Sequence, residues 1–302
     1  MPRHLLQILD LSPELIQRLL HRAGELKQEG RQQGTLQGQS YVLVFEKAST
    51  RTRISFEVAV SQLGGTSIFM TPQESQLGRS EPLKDTSRVL SRYCQGMIVR
   101  TFAQQSLEEL AAYADVPVIN ALSDRFHPCQ VLSDLLTIQE RSPDFARLKL
   151  AWIGDGNNMA HSWINAACYL PFYLHLAVPR GFEPDSDILE RALQAGAKVN
   201  ICHDPVQAVQ DADYVNTDVW ASMGQEGQEE SRNRAFADFQ LNQELLAQAP
   251  ERALVMHCLP AHRGQEVTDE VLEGQRSIVW DQAENRLHMQ KALLQWVAGE
   301  LA

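Results

Sequence analysis

The chain has 302 residues, of which 44% are apolar and 22% charged, and its formal net charge is -11. This length suits two domains of about 150 residues each, and the composition is that of an ordinary globular protein. The acidic excess argues against a general nucleic-acid binder, which shows a basic footprint, although a few basic residues can still form a local anion pocket.

The cysteines and the apolar segments bear on location. The five cysteines are widely spaced and include no Cys-x-x-Cys pair, which predicts free thiols in a reducing compartment. The N-terminal segment carries acidic residues early and is not typical of a signal peptide. No segment approaches the roughly 18 uninterrupted apolar residues of a membrane span. We therefore expect a cytoplasmic protein that binds neither membranes nor nucleic acid.

Helix and strand patterns alternate along the chain. Ser12-Pro13-Glu14 has the features of a helix start, namely an N-cap hydroxyl, a proline in the first turn and an acid near the positive helix end. Ser106 and Glu109 have the spacing of a capping box. Apolar runs predict strands at 41–45, 66–70, 97–100, 116–120, 149–153, 174–178, 198–202, 214–217, 253–257 and 277–280.

Strands separated by helix-length segments predict parallel sheets in an α/β protein. The best boundary lies in a predicted helix at 131–141 and the polar turn that follows it. We expect two parallel-sheet α/β domains joined by interdomain helices, with bounds 1–141 and 142–281. A last helix, within 282–302, is expected to pack back on the first domain.

The segment 49–53, Ser-Thr-Arg-Thr-Arg, carries the most informative chemistry. It follows a predicted strand and opens a helix, whose N-terminal amides favour anions. Its two arginines can each grip a phosphate with two parallel hydrogen bonds. The alternative is an N-cap followed by two solvated arginines. The segment is not a Walker loop, because no G-x-x-x-x-G-K-[ST] occurs.

Two further motifs follow predicted strands. His127 and Gln130, in His-Pro-Cys-Gln, could donate to a carbonyl oxygen and pair with an amide, or could simply open a helix. The segment 154–158, Gly-Asp-Gly-Asn-Asn, resembles half of a dinucleotide fingerprint. Met159 occupies the position of the third glycine of that fingerprint. The amide side chains of this segment therefore favour a polar ligand over a nucleotide.

The last motifs lie at 218–224 and 257–264. Asp218 and Ser222 are four residues apart and could hold an ammonium group, or form a capped strand exit. Two histidines and Cys258 within six residues invite a metal interpretation, but the spacing matches no standard site and we expect no metal. Cys258 can be reactive if its neighbours lower its pKa, or it can be a packed thiol.

In order and approximate spacing, these motifs resemble those of the aspartate/ornithine carbamoyltransferase family. The resemblance rests on 45–53, on His-Pro-Cys-Gln at 127–130 and on His-Cys-Leu-Pro at 257–260. Asp-x-x-x-Ser-Met-Gly at 218–224 resembles the ornithine branch. The resemblance to the family runs from the first helix to Arg286. The sequence departs from the family pattern at Ala48, where the family often has proline.

The resemblance implies a carbamoyl-phosphate-binding domain at 1–141 and an ornithine-binding domain at 142–281. It implies transfer of the carbamoyl group of carbamoyl phosphate to the δ-amine of L-ornithine, as in arginine biosynthesis, without a metal or organic cofactor. It also implies a homotrimer, or a multiple of trimers, with active sites between domains and at subunit contacts. Whether the role is anabolic or catabolic stays open.

The resemblance also assigns site residues. Carbamoyl-phosphate contacts are implied at Ser49, Thr50, Arg51, Thr52, Gln76, Arg100, His127, Gln130, Cys258, Leu259 and Arg286, with Gln76 reaching a neighbouring subunit. Ornithine contacts are implied at Asn158, Asp218, Ser222 and Met223. Catalytic roles are implied for Arg100, His127, Asp218 and Cys258.

Two rival functions follow from the same motifs. A related enzyme could carbamoylate acetylornithine or putrescine, but those branches depart from the Ser-Met-Gly pattern, which is intact here. A non-enzymatic relative could bind without turnover, but the motif residues expected for catalysis are complete.

Overall fold

In the computed structural model, alternating strands and helices build two separate parallel sheets. The structure describes residues 2–30, 34–71, 81–221, 227 and 229–301. The sheets belong to two units, Met1–Leu136 with Asn285–Ala302 and Thr137–Glu284. The prediction of two parallel-sheet α/β domains is confirmed.

The first unit is organised by a parallel sheet. Its elements in chain order are α1 (Pro13–Glu29), β1 (Ser40–Phe45), α2 (Thr50–Gln62), β2 (Thr66–Met70), α3 (Leu83–Tyr93), β3 (Gly96–Arg100), α4 (Gln104–Tyr113), β4 (Val118–Leu122) and α5 (Pro128–Gln139). The strand order is β2-β1-β3-β4. The chain therefore adds β2 on one side of β1 and then crosses to the other side. The reversal lies between β1 and β3, the kind of position where open α/β sheets bind ligands.

Local sequence explains how these elements form. Ser12 caps α1 by accepting a hydrogen bond from the amide of Leu15 at 3.2 Å, as predicted. Residues 41–45 of β1 are all buried, because helices cover both faces of a parallel sheet. That is why this strand reads as a continuous apolar run.

The second unit repeats this winding with more strands. Its elements are β5 (Lys149–Ile153), α6 (Asn158–Ala167), β6 (Tyr173–Ala177), α7 (Ser186–Gln194), β7 (Lys198–Cys202), α8 (Pro205–Val209), β8 (Tyr214–Thr217), α9 (Glu229–Ala235), α10 (Gln243–Leu246), β9 (Leu254–His257), α11 (Asp269–Leu272) and α12 (Val279–Val297). The order is β7-β6-β5-β8-β9, all parallel. The reversal here lies between β5 and β8. Along the chain, α5 and α12 cross from one unit to the other.

The strand predicted at 277–280 is wrong. Only Ser277 pairs, in an isolated parallel bridge with Val255, and α12 already begins at Val279. A run of only three apolar residues, at 278–280, does not distinguish a strand from the first turn of a buried helix by periodicity. The last helix accordingly begins three residues before the predicted 282.

Two smaller differences concern the edge of the first sheet. The helix α4 begins at Gln104, so Ser106 lies inside it and the predicted cap is wrong. Asp124, in the loop after β4, instead accepts from the amide of Gln104 at 2.9 Å. The strand β4 begins at Val118 rather than 116, because Pro117 has no amide hydrogen to donate to a strand partner.

Among the described residues, no helix is both long enough and apolar enough to cross a bilayer.

Candidate active site

The loops that follow β1 and β3 meet at the reversal point of the first sheet. Phe45 and Arg100, the last residues of these strands, are paired across the sheet, and the Glu46 amide donates to the Arg100 carbonyl at 2.9 Å. The Glu46 carboxylate accepts from the Thr101 hydroxyl and from the Phe102 amide. Glu46 therefore ties the two loops together, a role that the sequence analysis missed.

The N-terminus of α2 opens beside this junction. Ser49 is its N-cap residue, and the Ser49 hydroxyl accepts from the Thr52 amide at 3.4 Å. The first amides of a helix have no acceptor within it, so they point at whatever lies in front of the helix. Arg51 is in this first turn, and its buried Nε has no hydrogen-bond partner among the described residues. The arrangement suits an anion.

Arg286 of α12 joins residues from two other helices. Its guanidinium donates to the side-chain oxygen of Gln130 at 2.6 Å and to the hydroxyl of Thr52 at 2.8 Å. The Gln130 amide nitrogen in turn donates to Asp134 at 2.8 Å. All four side chains are buried. Three predicted site residues thus form one hydrogen-bonded network.

Asp134 was not predicted, although a signal for it was present. It lies one helical turn after Gln130, and residues four apart share one face of a helix. The Asp134 carboxylate accepts from the amide nitrogen of Gln130. The amide oxygen of Gln130 then faces Arg286 and accepts from its guanidinium. The orientation of the Gln130 amide is therefore set at both of its ends.

His127 lies directly before α5 and is buried. Burial holds the pKa of His127 well below its usual 6.5, and the nearby guanidiniums of Arg286 and Arg100 lower it further. The imidazole is therefore neutral near pH 7. A neutral ring offers one N–H donor, so His127 can donate a hydrogen bond without adding a positive charge.

In the second unit, three strand ends form the corresponding edge. Thr217 of β8 pairs with Ile153 of β5 on one side and His257 of β9 on the other. Asp218 follows directly after β8 and is buried. Its carboxylate accepts from the Asn157 side chain at 3.1 Å and from the Cys258 thiol at 3.0 Å. The structure therefore brings the predicted Asp218 and Cys258 together.

Asn157 and Asn158 have different positions at the start of α6. Asn158 is buried in the first turn, whereas Asn157 is the N-cap residue and accepts from the amides of Met159 and Ala160. It is Asn157, which was not predicted, whose amide nitrogen bonds Asp218. The sequence pattern alone does not tell which of two adjacent asparagines faces the strand end.

A buried ion pair lies next to Asp218. Asp155 pairs with Arg232 of α9, whose Nε also donates to the carbonyl of Trp220 at 2.5 Å. Burial raises the pKa of Asp155 to about 6; Arg232 opposes this shift and Asp218 adds to it. The pair ties the segment after β8 to the loop after β5, and the sequence analysis missed it.

The His-Cys-Leu-Pro segment makes a tight turn after β9. Leu259 has φ of 57°, in the left-handed region that costs a non-glycine residue about 1–2 kcal/mol. The Leu259 amide donates to Nδ1 of His257 at 2.9 Å. Such strained residues persist only where the surroundings hold them.

The side chains of Asp218, His257 and Cys258 also lie close enough together to hold a metal ion. Both nitrogens of His257 are engaged, however, Nδ1 by Leu259 and Nε2 by Glu266 at 3.1 Å. A metal at this cluster would have to displace one of these hydrogen bonds. The cluster fits a thiol and carboxylate site better than a metal site.

The predicted site residues Gln76, Ser222 and Met223 lie outside the described residues. All the other predicted site residues are among the described residues, and each belongs to one of the two units. Ser49, Thr50, Arg51, Thr52, Arg100, His127, Gln130 and Arg286 belong to the first, and Asn158, Asp218, Cys258 and Leu259 to the second.

Comparison with protein families gives two adjoining matches. Residues 3–140 match the carbamoyl-P binding domain of aspartate/ornithine carbamoyltransferases, and residues 146–297 match the Asp/Orn binding domain of the same proteins. The chain belongs to the aspartate/ornithine carbamoyltransferase family. The resemblance seen in the motifs is thereby confirmed.

Individual members of the family match over nearly their whole length. The ornithine carbamoyltransferase of Nitratidesulfovibrio vulgaris is 60% identical over 300 residues, covering 99% of this chain and 100% of the relative. The solved structure of the Pyrococcus furiosus ornithine carbamoyltransferase is 45% identical with a TM-score of 0.94, covering 100% and 98% of the two chains. The anabolic ornithine carbamoyltransferase of Campylobacter jejuni is 39% identical, with a TM-score of 0.94 and 99% coverage of both chains.

Proposed function

We propose that this chain transfers the carbamoyl group of carbamoyl phosphate to the δ-amine of L-ornithine, giving L-citrulline and phosphate. The observation that carries the proposal is that each unit places family-motif residues at the reversal point of its own sheet, 49–53 and Arg100 after β1 and at the end of β3, and Asn158 and Asp218 after β5 and β8. The set in the first unit is rich in arginine and suits a phosphate dianion. The set in the second unit offers a carboxylate and a thiol, which suit an amine. Relatives matched over nearly their whole length carry the name of this activity.

In this proposal the first unit binds carbamoyl phosphate. Ser49, Thr50, Arg51 and Thr52 receive the phosphate at the N-terminus of α2, where amides and guanidinium donors converge. Arg100 and Arg286 supply further positive charge, since phosphate is the leaving group and gains charge as the bond to the carbamoyl carbon breaks.

The carbonyl oxygen of carbamoyl phosphate also gains negative charge when the amine attacks. We assign its stabilisation to Thr52, Arg100 and His127, because fixed donors aimed at a developing oxyanion are commonly the largest catalytic contribution. His127, being neutral, serves here as a hydrogen-bond donor. Gln130 binds the carbamoyl amide, and its own amide orientation is held by Arg286 and Asp134.

The second unit binds ornithine in this proposal. Asp218 and Asn158 contact the amino acid, with Ser222 and Met223 as further contacts. Cys258 and Leu259 line the reacting centre beside carbamoyl phosphate. Positioning two substrates in reacting geometry supplies much of the remaining rate acceleration.

The attacking amine must lose a proton before or during the reaction. A free alkylamine titrates near about 10.4, so most ornithine arrives with a charged δ-ammonium group. The hydrogen-bonded side chains of Asp218 and Cys258 are the proposed groups that accept or orient that proton. The chemistry requires neither a metal nor an organic cofactor.

We propose a homotrimer, or a multiple of trimers, in which Gln76 reaches the site of a neighbouring subunit. We propose a cytoplasmic location and a place in arginine biosynthesis. The five widely spaced cysteines, all of them free thiols, support a reducing compartment.

One parallel assay tests the proposed reaction. Carbamoyl phosphate is offered with ornithine, putrescine or acetylornithine, and each carbamoylated product and phosphate are measured. We expect citrulline formation with ornithine to exceed product formation with either other amine by orders of magnitude. A preference for another amine, or binding of carbamoyl phosphate without turnover, would reject the proposal in favour of one of its two rivals.

A further inference from the structure

Glu266 has no role in the function proposed above, yet it is a completely buried carboxyl group next to the His-Cys-Leu-Pro turn. Burying a carboxylate is costly unless its oxygens are hydrogen-bonded. The Oε2 atom of Glu266 has no hydrogen-bond partner in the part of the chain that the structure describes. An apolar side chain of similar size would avoid this cost. The presence of Glu266 therefore points to a specific task for Oε1.

Oε1 of Glu266 bridges the two ends of the turn. It lies 3.1 Å from Nε2 of His257 and accepts from the backbone amide of His262 at 2.5 Å. The backbone amide of His257 is itself held by the side chain of Gln282 at 2.8 Å. The turn at 257–262 is thus fixed where it leaves β9 and again five residues later.

The same contacts assign the protons on His257. Nδ1 accepts from the Leu259 amide, so it carries no proton, and the ring proton lies on Nε2, where it donates to Glu266. Glu266 therefore selects the tautomer that leaves Nδ1 free to accept. Without that acceptor, the Leu259 amide loses the bond that supports its left-handed conformation.

Cys258 lies between the two residues that this arrangement holds. Its thiol donates to Asp218 at 3.0 Å, and that geometry depends on the backbone on either side of Cys258. We propose that Glu266, acting through His257, is a positioning residue that holds Cys258 and Leu259 in the conformation needed for carbamoyl transfer. This inference rests on the proposed function. In the proposed arrangement, Glu266 touches neither a substrate nor the Cys258 thiol.

Paired variants at position 266 separate positioning from bulk stability. Glu266→Gln keeps an acceptor oxygen for His257 and His262, whereas Glu266→Leu keeps only the volume. Val271→Ala is the matched control, because Val271 is an apolar side chain buried in the core of the same unit and takes no part in the side-chain hydrogen bonds described above. We expect kcat/KM for ornithine to fall about 100-fold in Glu266→Leu, as misplaced reacting groups do. It should stay close to wild type in Glu266→Gln and in the control.

Nitrogen NMR of histidine-labelled protein reports the tautomer of His257, which would stay unchanged if Glu266 only filled space in the core. The signal of His257 is assigned by its loss in His257→Asn. We expect an Nε2-protonated ring in the wild type and in Glu266→Gln, and a changed or mixed tautomer in Glu266→Leu. An Nδ1-protonated wild type, wild-type kinetics in Glu266→Leu, or equal losses in the two Glu266 variants would each overturn the proposal.

A second pair keeps the proposal testable if Glu266→Leu fails to fold. The Oδ1 atom of asparagine takes the place of Nδ1, and the amide end of glutamine takes the place of Nε2. We expect His257→Asn to retain more activity than His257→Gln, because it keeps the acceptor for Leu259; equal activity would count against the proposal. Failure of the wild type to form citrulline would overturn the proposed function instead, since the tautomer is measured without substrate.

Discussion

The two units share one winding of the sheet but carry opposite chemistry at the corresponding edge. In both, the chain starts in the middle of a parallel sheet, extends to one side and crosses to the other. The first unit presents Arg51, Arg100 and Arg286 at or beside its reversal point, and the second presents Asp218 and Cys258. The topology thus supplies a place where loops meet, and the residues on those loops decide what can bind there.

The two edges also treat buried ionisable groups alike. The pKa of His127 is lowered and that of Asp155 is raised, in each case chiefly because burial disfavours the charged form. Neighbours then differ: guanidiniums push His127 further, while Arg232 restrains the shift of Asp155. Because the two edges carry different chemistry, a variant in one unit should change the kinetics of one substrate and leave the binding of the other unchanged.

The largest effect is expected at the arginine-rich edge. Arg51→Lys keeps the charge but loses the planar fork that binds phosphate with two hydrogen bonds. We expect kcat/KM for carbamoyl phosphate to fall about 10²–10³-fold, comparable to removing one oxyanion donor. Steady-state kinetics measure this, with circular dichroism to show that the fold is kept.

Arg53→Lys is the control for this variant. Arg53 is on the same helix, but it pairs with Glu57 at 2.9 Å and stacks on Phe69. We expect nearly unchanged kinetics. If Arg51→Lys behaved like Arg53→Lys, the first edge would not be the phosphate site.

A somewhat smaller effect is expected at the second edge. Asp218→Asn keeps the shape and one oxygen that can accept from the Cys258 thiol, but it removes the negative charge and the second oxygen, which accepts from Asn157. We expect kcat/KM for ornithine to fall about 100-fold, because the charge that attracts and deprotonates the amine is lost. Calorimetry should show unchanged binding of carbamoyl phosphate to the free enzyme.

Asp211→Asn provides the comparison, since Asp211 is an exposed acid of the same unit that pairs with Lys149. It should leave both substrates unaffected. Weakened carbamoyl-phosphate binding in Asp218→Asn would contradict the division of labour between the two edges.

The network around Arg286 predicts a third, more moderate effect. Thr52→Val removes the hydroxyl that accepts from Arg286 and leaves a buried N–H without its partner. We expect a loss of about 1–3 kcal/mol in the free energy of unfolding and roughly tenfold in kcat/KM for carbamoyl phosphate. Denaturant unfolding and kinetics measure the two quantities.

Thr52→Ser keeps the hydroxyl and should behave much more like the wild type. Equal losses in both Thr52 variants would show that keeping the hydroxyl does not preserve the site, which would contradict the role given to the hydrogen bond from Arg286.

The smallest effect concerns pH and His127. Its folded-state pKa lies below the unfolded value of about 6.5, so below pH 6.5 the unfolded chain binds a proton that the folded chain does not. The contribution of His127 to stability therefore falls as the pH drops, by about 1.4 kcal/mol per pH unit, and is constant above 6.5.

Unfolding of the wild type and His127→Gln at pH 7.5 and 5.5 measures this contribution. The loss of stability on acidification should be smaller by about 1.4 kcal/mol in His127→Gln. An equal loss in wild type and His127→Gln would show that His127 takes up its proton in the folded state.

Much of the fold follows from local sequence. The start of α1 at Ser12-Pro13 and the buried run of β1 are confirmed, because caps and hydrophobic periodicity act over a few residues. The failures are also local: Ser-Ile-Val-Trp at 277–280 is too short to show a period, and the capping spacing at Ser106 is satisfied inside a helix whose true cap comes from Asp124. Motif order was enough to identify the family.

The packing within the site was decided only by the tertiary structure. Arg286 meets Thr52 and Gln130 across sequence separations of 234 and 156 residues, which no local pattern encodes. Asp134 and Glu266 belong to no motif, and the motif that contains Asn157 does not distinguish it from Asn158; all three take their roles from the groups that folding brings beside them. Sequence determines which residues can do chemistry and where strands end. The buried hydrogen bonds that orient those residues depend on long-range packing, because only there are donor and acceptor removed from water together.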